Sequence, residues 1–361
     1  MGASVHTVCP YFTMFPIEFP VRVLRRAQSG DSVLDPFCGR GTTNYAARTL
    51  GLASVGIDSS PVAAAIAEAK LPRVQPEAVI RCGHAILAAS RERPDLPRGA
   101  FWQWAFHEET LLDLCTLRGS LLRRCSSDTR IVLRAIILGA LHGPRNRGLP
   151  SYLSNQAPRT YAPKPGYALR FWRSRGLRPP RVDVLDLIRR RAAHYLSEQP
   201  AAGRGAIIRG DSRDRRSFPS RRRYHWVITS PPYYGMRTYL PDQWLRYWFL
   251  GGPDHVDYSH PSDAVVHAGP ETFADDLRQV WLNAAAVSKP GAHLVVRFGA
   301  IHDRLQPPLD LLRSSLRETG WRVTTIHDAG DAHAGRRQAD QFKGASARAL
   351  REHDVYARLE I

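Results

Sequence analysis

Two clusters in this 361-residue chain combine residue types and spacings suited to group transfer. In the first, Asp35-Pro36-Phe37-Cys38-Gly39-Arg40-Gly41-Thr42-Thr43, a short apolar strand delivers an acid and a GxG turn then opens a helix. The glycines let backbone approach a ligand closely, and the free N–H groups of a first helical turn attract an anion. A carboxylate suits that helix end and an ammonium suits Asp35, so the cluster fits a zwitterionic amino acid, whereas Asp35 would repel a pyrophosphate. A GxG alone is equally well explained as a tight strand-to-helix turn. Asp35, Phe37, Thr42 and Asp58 in register separate the two readings, because Asp58, followed by Ser59, ends the next strand where an acid accepts hydrogen bonds from ribose hydroxyls. An amino acid joined to a nucleoside is S-adenosylmethionine, the cofactor this cluster implies.

The second cluster, Thr229-Ser230-Pro231-Pro232-Tyr233, directly follows another strand. Two prolines stiffen the turn, so the Ser230 hydroxyl and the Pro231 carbonyl become fixed acceptors. An aromatic amino nitrogen is a poor nucleophile because its lone pair is delocalised into the ring. Two acceptors on its N–H groups would tilt it toward tetrahedral geometry and aim the lone pair at a sulfonium methyl. Tyr233 offers a face on which a base can stack, and a base in a duplex must be flipped out to reach it. Taken alone, the motif also reads as a strand-terminating turn with a packed tyrosine.

The elements that must position these clusters follow from periodicity. Strands are expected at Ser32 to Asp35, Ala53 to Ile57, Ala206 to Arg209, His225 to Ile228, His293 to Phe298, Arg322 to His327 and Asp354 to Leu359. Helices are expected from Thr42 to Leu50, Pro61 to Lys70, Phe273 to Val287 and Pro308 to Glu318. This pattern predicts an α/β, Rossmann-like methyltransferase fold with a mostly parallel seven-stranded sheet. An all-helical insertion would interrupt it, with helices from Glu108 to Arg124, Thr129 to Leu141 and Arg181 to Leu196. The expected organisation is 1–72 for the cofactor-binding part, 73–203 for the insertion and 204–361 for the catalytic part.

A count of 51 Lys+Arg against 33 Asp+Glu gives a net charge of +18, an excess that draws a protein to polyanions and makes nucleic acid the leading partner. The preference for Arg over Lys fits a GC-rich genome, but that bias leaves the net excess unexplained. Cys9, Cys38, Cys82, Cys115 and Cys125 form neither a CxxC pair nor a zinc-like cluster, so reduced thiols and no metal are expected. The most apolar run, Ile131 to Leu141, is too short to span a bilayer, and Met1 to Pro10 lacks the features of a signal peptide, so a cytoplasmic location is expected.

The two clusters together resemble the amino-methyltransferases of DNA, the N4-cytosine and N6-adenine type, over residues 11–71 and 205–361. That family carries a D-P-F-x-G-x-G-T-T cofactor loop and a [DNS]-P-P-[YFW] catalytic loop. Its additional cofactor motif, H-P-T-x-K-P-x-E, is similar to Tyr11 to Glu18. Thr13, Pro16 and Glu18 match, while Tyr11 and Phe15 replace the histidine and lysine. The resemblance implies that Thr13, Phe15 and Pro16 join Asp35, Pro36, Phe37, Cys38, Gly39, Gly41, Thr42, Thr43, Asp58 and Ser59 at the cofactor, with Asp211 near its adenine. It assigns catalysis to Ser230, Pro231, Pro232 and Tyr233, and Ser in place of Asp favours cytosine N4 over adenine N6. Here the cofactor motifs precede the catalytic one, the reverse of many relatives, which is a matter of chain order.

Residues 143–180 interleave Arg145, Arg147, Arg159, Lys164 and Arg170 with Tyr152, Tyr161, Tyr167, Phe171 and Trp172, a composition suited to phosphate contacts and base reading; a solvated face with a few core aromatics is the bland alternative. The expected partner is therefore double-stranded DNA with a flipped base, in a setting that leaves room for a partner restriction enzyme. An RNA base amino-methyltransferase and a non-catalytic nucleic-acid-binding regulator are the competing readings.

Overall fold

The computed structural model describes residues 4–11, 15–89, 94–143, 152–157, 163–220, 223–234, 243–256, 269–299, 307–331 and 351–360. The chain divides into two compact units, one of residues 11–71, 200–238 and 263–361, the other of residues 1–10, 72–199 and 239–262.

The first unit is built on a sheet of β1 (Ser32–Asp35), β2 (Ala53–Asp58), β3 (Gly205–Arg209), β4 (Tyr224–Thr229), β5 (Ser288–Phe298), β6 (Trp321–Asp331) and β7 (Arg351–Leu359). Their order is β3-β2-β1-β4-β5-β7-β6. Every pairing from β3 through β5 is parallel, and β7 runs antiparallel between β5 and β6. The sheet is thus seven-stranded and mostly parallel, and this strand order carries the expected fold class.

Central strands buried on both faces need apolar residues on both alternations, which Val33-Leu34 and Trp226-Val227-Ile228 supply. Leu34, Val55, Val227, Leu294 and Val296 share one face with Phe273, Leu277 and Trp281 of helix Pro270–Val287 and Leu312 of helix Pro308–Leu316. Period-two alternation turns Arg297 to the opposite face, where its guanidinium lies 4.1 Å over the Phe19 ring of helix Glu18–Leu24. Asp354 balances that buried cation, accepting from Arg297 Nε at 2.7 Å and Nη2 at 2.8 Å and from Arg22 at 2.6 Å.

Although β2 and β3 lie far apart in sequence, they pair in register from Ser54↔Gly205 to Asp58↔Arg209. Gly203 N donates to Leu71 O at 2.7 Å, and Arg48 donates to the carbonyls of Lys70, Pro200 and Ala201. The longest excursion from the unit, residues 72–199, therefore starts and ends at one clasped point.

In the second unit the described regular elements are helices, chiefly Pro76–Ala88, Glu108–Arg123, Asp128–Ala140, Pro165–Arg173, Val184–Leu196 and Trp244–Phe249. The prolines at 76 and 165 begin helices rather than breaking them, since the first helical position has no intrahelical use for an N–H. Ser127 and Asp183 cap their helices by accepting from Arg130 N and Asp186 N. Phe101, Trp102, Trp244 and Trp248 pack within 4.5–5.8 Å, and buried Arg246 reaches Leu138 O and Pro10 O, tying residues 1–10 and 239–262 to the helices. No described helix is long and apolar enough to cross a membrane.

Candidate active site

Asp35 ends β1 and Thr229 ends β4, its parallel neighbour, so both loops that follow leave the sheet at the same edge. The two residues are fully buried and joined directly, with Thr229 Oγ1 donating to Asp35 Oδ1 at 2.6 Å. Phe37 N donates to the same oxygen at 3.1 Å. Asp35 Oδ2 has no hydrogen-bond partner although it is buried. Burial pushes the Asp35 carboxyl up to about 6, against the hydrogen bonds from Thr229 and Phe37 that pull it down. A carboxylate held in this way is an acceptor awaiting a cation.

The turn after Asp35 keeps its backbone accessible. Gly39 and Gly41 have φ of +51° and +76°, a region that favours glycine, and a Cβ at Gly41 would lie 2.8 Å from that of Ala67. Gly41 caps helix Thr42–Thr49 without a side-chain hydrogen bond, so the first-turn N–H groups are not taken by a capping side chain. Around them Cys38 N donates to Ile57 O at 3.0 Å and Ser212 Oγ to Pro36 O at 2.5 Å. Burial raises the Cys38 thiol far above its ordinary range, which makes it packing rather than a nucleophile.

Asp58 ends β2 beside this turn. Its two oxygens accept from Gly39 N and Ser60 N at 2.9 Å each, which leaves lone pairs for further donors. Burial pushes this carboxyl up to about 6 as well. The Asp35 side chain, the uncapped helix end and Asp58 together match the ammonium, carboxylate and ribose hydroxyls of S-adenosylmethionine, so the residues present fit that cofactor. Half-buried Ser59 follows Asp58. Thr43 Oγ1 donates to Ile228 O at 3.3 Å, a second tie between β1's loop and β4. Asp211 lies after β3 in a fork with Arg213, whose other arm holds Asp276 at 3.0 Å.

In the loop after β4, Pro231 is buried, whereas Ser230, Pro232 and Tyr233 are half-buried. The Tyr233 ring packs edge-on against Phe298 at 5.6 Å, and its hydroxyl donates to Glu352 Oε1 at 2.5 Å. Thr229 has a local signal, as the last residue of a strand before a conspicuous motif. Glu352 has none, since it reaches the site only through the pairing of β7.

Phe15 and Pro16 lead into helix Glu18–Leu24, where the Phe15 ring meets Phe19 edge-on at 5.4 Å; Thr13 lies outside the described residues. Arg145, Arg147 and Arg159 also lie outside them. In the helical unit, Lys164 caps helix Pro165–Arg173 and Arg170 occupies its last turn, both exposed. Beside them, Arg173 and Arg178 lie 5.7 and 4.2 Å over the Trp104 ring, and Arg175 lies 4.4 Å over Phe171. No Asp or Glu occurs between Asp128 and Asp183, so the charged side chains of this segment are all cations.

Residues 4–69 match the model of the N6/N4 methyltransferase family, described as DNA methylase. This N-terminal segment is thus similar to that of N6/N4 DNA methylases. The type II methyltransferase M.MjaII of Methanocaldococcus jannaschii is 40% identical over 70 residues, which cover 19% of this chain and 13% of that protein. The type II methyltransferase M.BsoBI of Geobacillus stearothermophilus is 38% identical over 61 residues, 16% of this chain and 12% of that protein. The matched stretch thus spans about an eighth of either relative. Among solved structures, the rRNA methyltransferase aviRa from Streptomyces viridochromogenes aligns with 97% of this chain and 88% of its own, at a TM-score of 0.38 and 14% identity. Methylases of the N6/N4 family take their methyl group from S-adenosylmethionine, the cofactor to which the Asp35 turn is fitted.

Proposed function

We propose that the chain is a DNA methyltransferase that modifies the exocyclic amine of a base, with cytosine N4 as its target. The observation that carries this reading is the Thr229–Asp35 bond of 2.6 Å, which ties the S-P-P-Y loop to the cofactor turn at one sheet edge. When bound, S-adenosylmethionine supplies an electrophilic methyl group on a sulfonium.

The remaining work falls to the chain's own residues. The helix end at Thr42 receives the carboxylate, Asp35 holds the ammonium and Asp58 accepts from the ribose. Phe37, set edge-on to Trp281 at 6.3 Å, borders the same turn, and Asp211 lies on the adenine side. The Ser230 hydroxyl and the Pro231 carbonyl accept the two N–H bonds of the target amine and direct its lone pair, while Tyr233 stacks on the base. No strong base is needed, because a methylated amino group is acidic enough to lose its extra proton afterwards. Ser230, where adenine-N6 enzymes of the family more often carry Asp, supports cytosine.

The exposed cations Lys164 and Arg170, with the guanidinium groups set over Trp104 and Phe171, suit phosphate tracking beside aromatic surface and support residues 143–180 as the target-recognition region. Expression in a methylation-free host, followed by genome sequencing that resolves modified bases, tests the reading. N4-methylcytosine within one sequence motif is the expected result. N6-methyladenine would move the target to adenine, and an unmodified genome with methylated RNA would replace DNA as the substrate.

A further inference from the structure

Glu352 is an acid that folding has almost entirely removed from water: it is 2% exposed, on β7, in register with Gly330 of β6. A buried carboxylate costs several kcal/mol unless strong donors meet it, and one that meets this one is the hydroxyl of Tyr233, at 2.5 Å. The surroundings are shaped for that contact. A Cβ on Gly299, which follows β5, would lie 3.0 Å from Glu352 Cγ and 3.2 Å from the Tyr233 ring, so an ordinary side chain there would wedge the pair apart. Phe298 closes on the ring edge-on at 5.6 Å. Tyr233 is therefore gripped at its tip by β7, at its edge by Phe298 and at its base by the two prolines.

We infer that Glu352 is a positioning residue, holding the Tyr233 ring in the one orientation that presents its face to the target base. A tyrosine anchored only at Pro232 could rotate about its side-chain torsions. A hydrogen bond at the far end of the ring removes that freedom before a base arrives. This inference rests on the base-stacking role proposed above for Tyr233. It also gives the antiparallel end of the sheet a task in the site, since only the β5-β7 pairing brings position 352 beside position 233.

The test uses the full chain with ring-labelled tyrosine, Tyr233→Phe identifying the Tyr233 resonance among the 13 tyrosines. Glu352→Ala is expected to move that resonance toward the position of a freely rotating tyrosine. Glu352→Gln, whose amide oxygen still accepts, leaves it in place, and Gly299→Ala displaces it independently. In methyl transfer, Glu352→Ala lowers kcat about 10- to 100-fold, the scale of a misplaced reacting group. Cofactor affinity is unchanged, Glu352→Gln restores most of the rate, and Glu352→Ala adds nothing in a Tyr233→Phe background. A Tyr233 resonance unmoved by Glu352→Ala, or losses that add in the double variant, would overturn the inference. Because Glu352→Gln and Tyr233→Phe change only polar atoms, they keep the comparison open if Glu352→Ala fails to fold. Wild-type protein that methylates neither DNA nor RNA would refute the proposed activity, while the resonance still decides whether Glu352 holds Tyr233.

Discussion

Thr229 and Asp35 meet at 2.6 Å inside the sheet edge, and through them the loop that would hold the base is bonded to the turn that would hold the cofactor. The bond leaves Asp35 with one satisfied oxygen and one that has no partner, both buried.

Asp35 and Asp58 both sit near pH 6, raised by burial from the ordinary 3.8. An acid whose folded pKa lies above its unfolded value favours the folded state most at low pH. Its contribution is complete below about pH 4 and is lost as the pH rises through about 6. Cofactor binding has the opposite trend, because an ammonium needs Asp35 ionised. Calorimetric titration with S-adenosylmethionine from pH 5 to pH 7 should show affinity rising about tenfold if Asp35 alone must ionise, and about a hundredfold if Asp58 joins it. Thermal melts over the same range should show the cofactor-free protein losing stability. Affinity that is flat or falls with pH would remove Asp35 from the ammonium.

Thr229→Val keeps the shape and removes the donor. Since that bond lowers the Asp35 pKa, its loss should move the midpoint of the pH–affinity curve above pH 6 and cost about 1–3 kcal/mol of stability. A midpoint that stays in place would mean that the bond serves folding alone. The check is the same titration series, with urea melts alongside.

Gly41→Ala combines a φ of +76° with a methyl group 2.8 Å from Ala67. The strain is about 1–3 kcal/mol, and the helix end is the point displaced. Cofactor affinity should therefore fall more steeply than the melting temperature. Gly39→Ala, at φ +51° with nothing near its Cβ, should be milder in stability. Equal effects from the two would show that backbone strain, rather than contact with Ala67, governs the turn.

Lys164→Ala and Arg170→Ala should weaken DNA binding by similar factors on specific and random duplexes. Each lost phosphate contact should reduce the slope of log affinity against log salt by about 0.9. Fluorescence anisotropy at several salt concentrations measures this directly. An unchanged slope would assign these exposed cations to solvent.

The site residues divide by the kind of information that specifies them. Asp35, Gly41, Asp58 and the S-P-P-Y loop were legible because strand ends, glycine turns and helix starts are written in adjacent residues. So were the strand positions, although β5, β6 and β7 extend beyond the apolar runs that announced them, beginning at Ser288, Trp321 and Arg351. Helices Pro76–Ala88 and Pro165–Arg173 are not among the expected elements, although each opens on a proline, as the expected helices at Pro61 and Pro308 do. Glu352 was invisible for a deeper reason: its partner Tyr233 is 119 positions away, and only the antiparallel pairing of β7 with β5 brings them together.

The clasp at Leu71 and Gly203 makes the intervening chain a detour that starts and finishes at one place. Lengthening such a detour costs the sheet only a closure entropy that grows with the logarithm of its length, about 0.6 kcal/mol per doubling. Register between β2 and β3 is set locally by Ser54 to Asp58 against Gly205 to Arg209, whatever the excursion contains. The length of the excursion can thus vary at little cost to the β2–β3 pairing, while residues 1–10 and 239–262, which belong to the same helical unit, tie its composition to the rest of the chain.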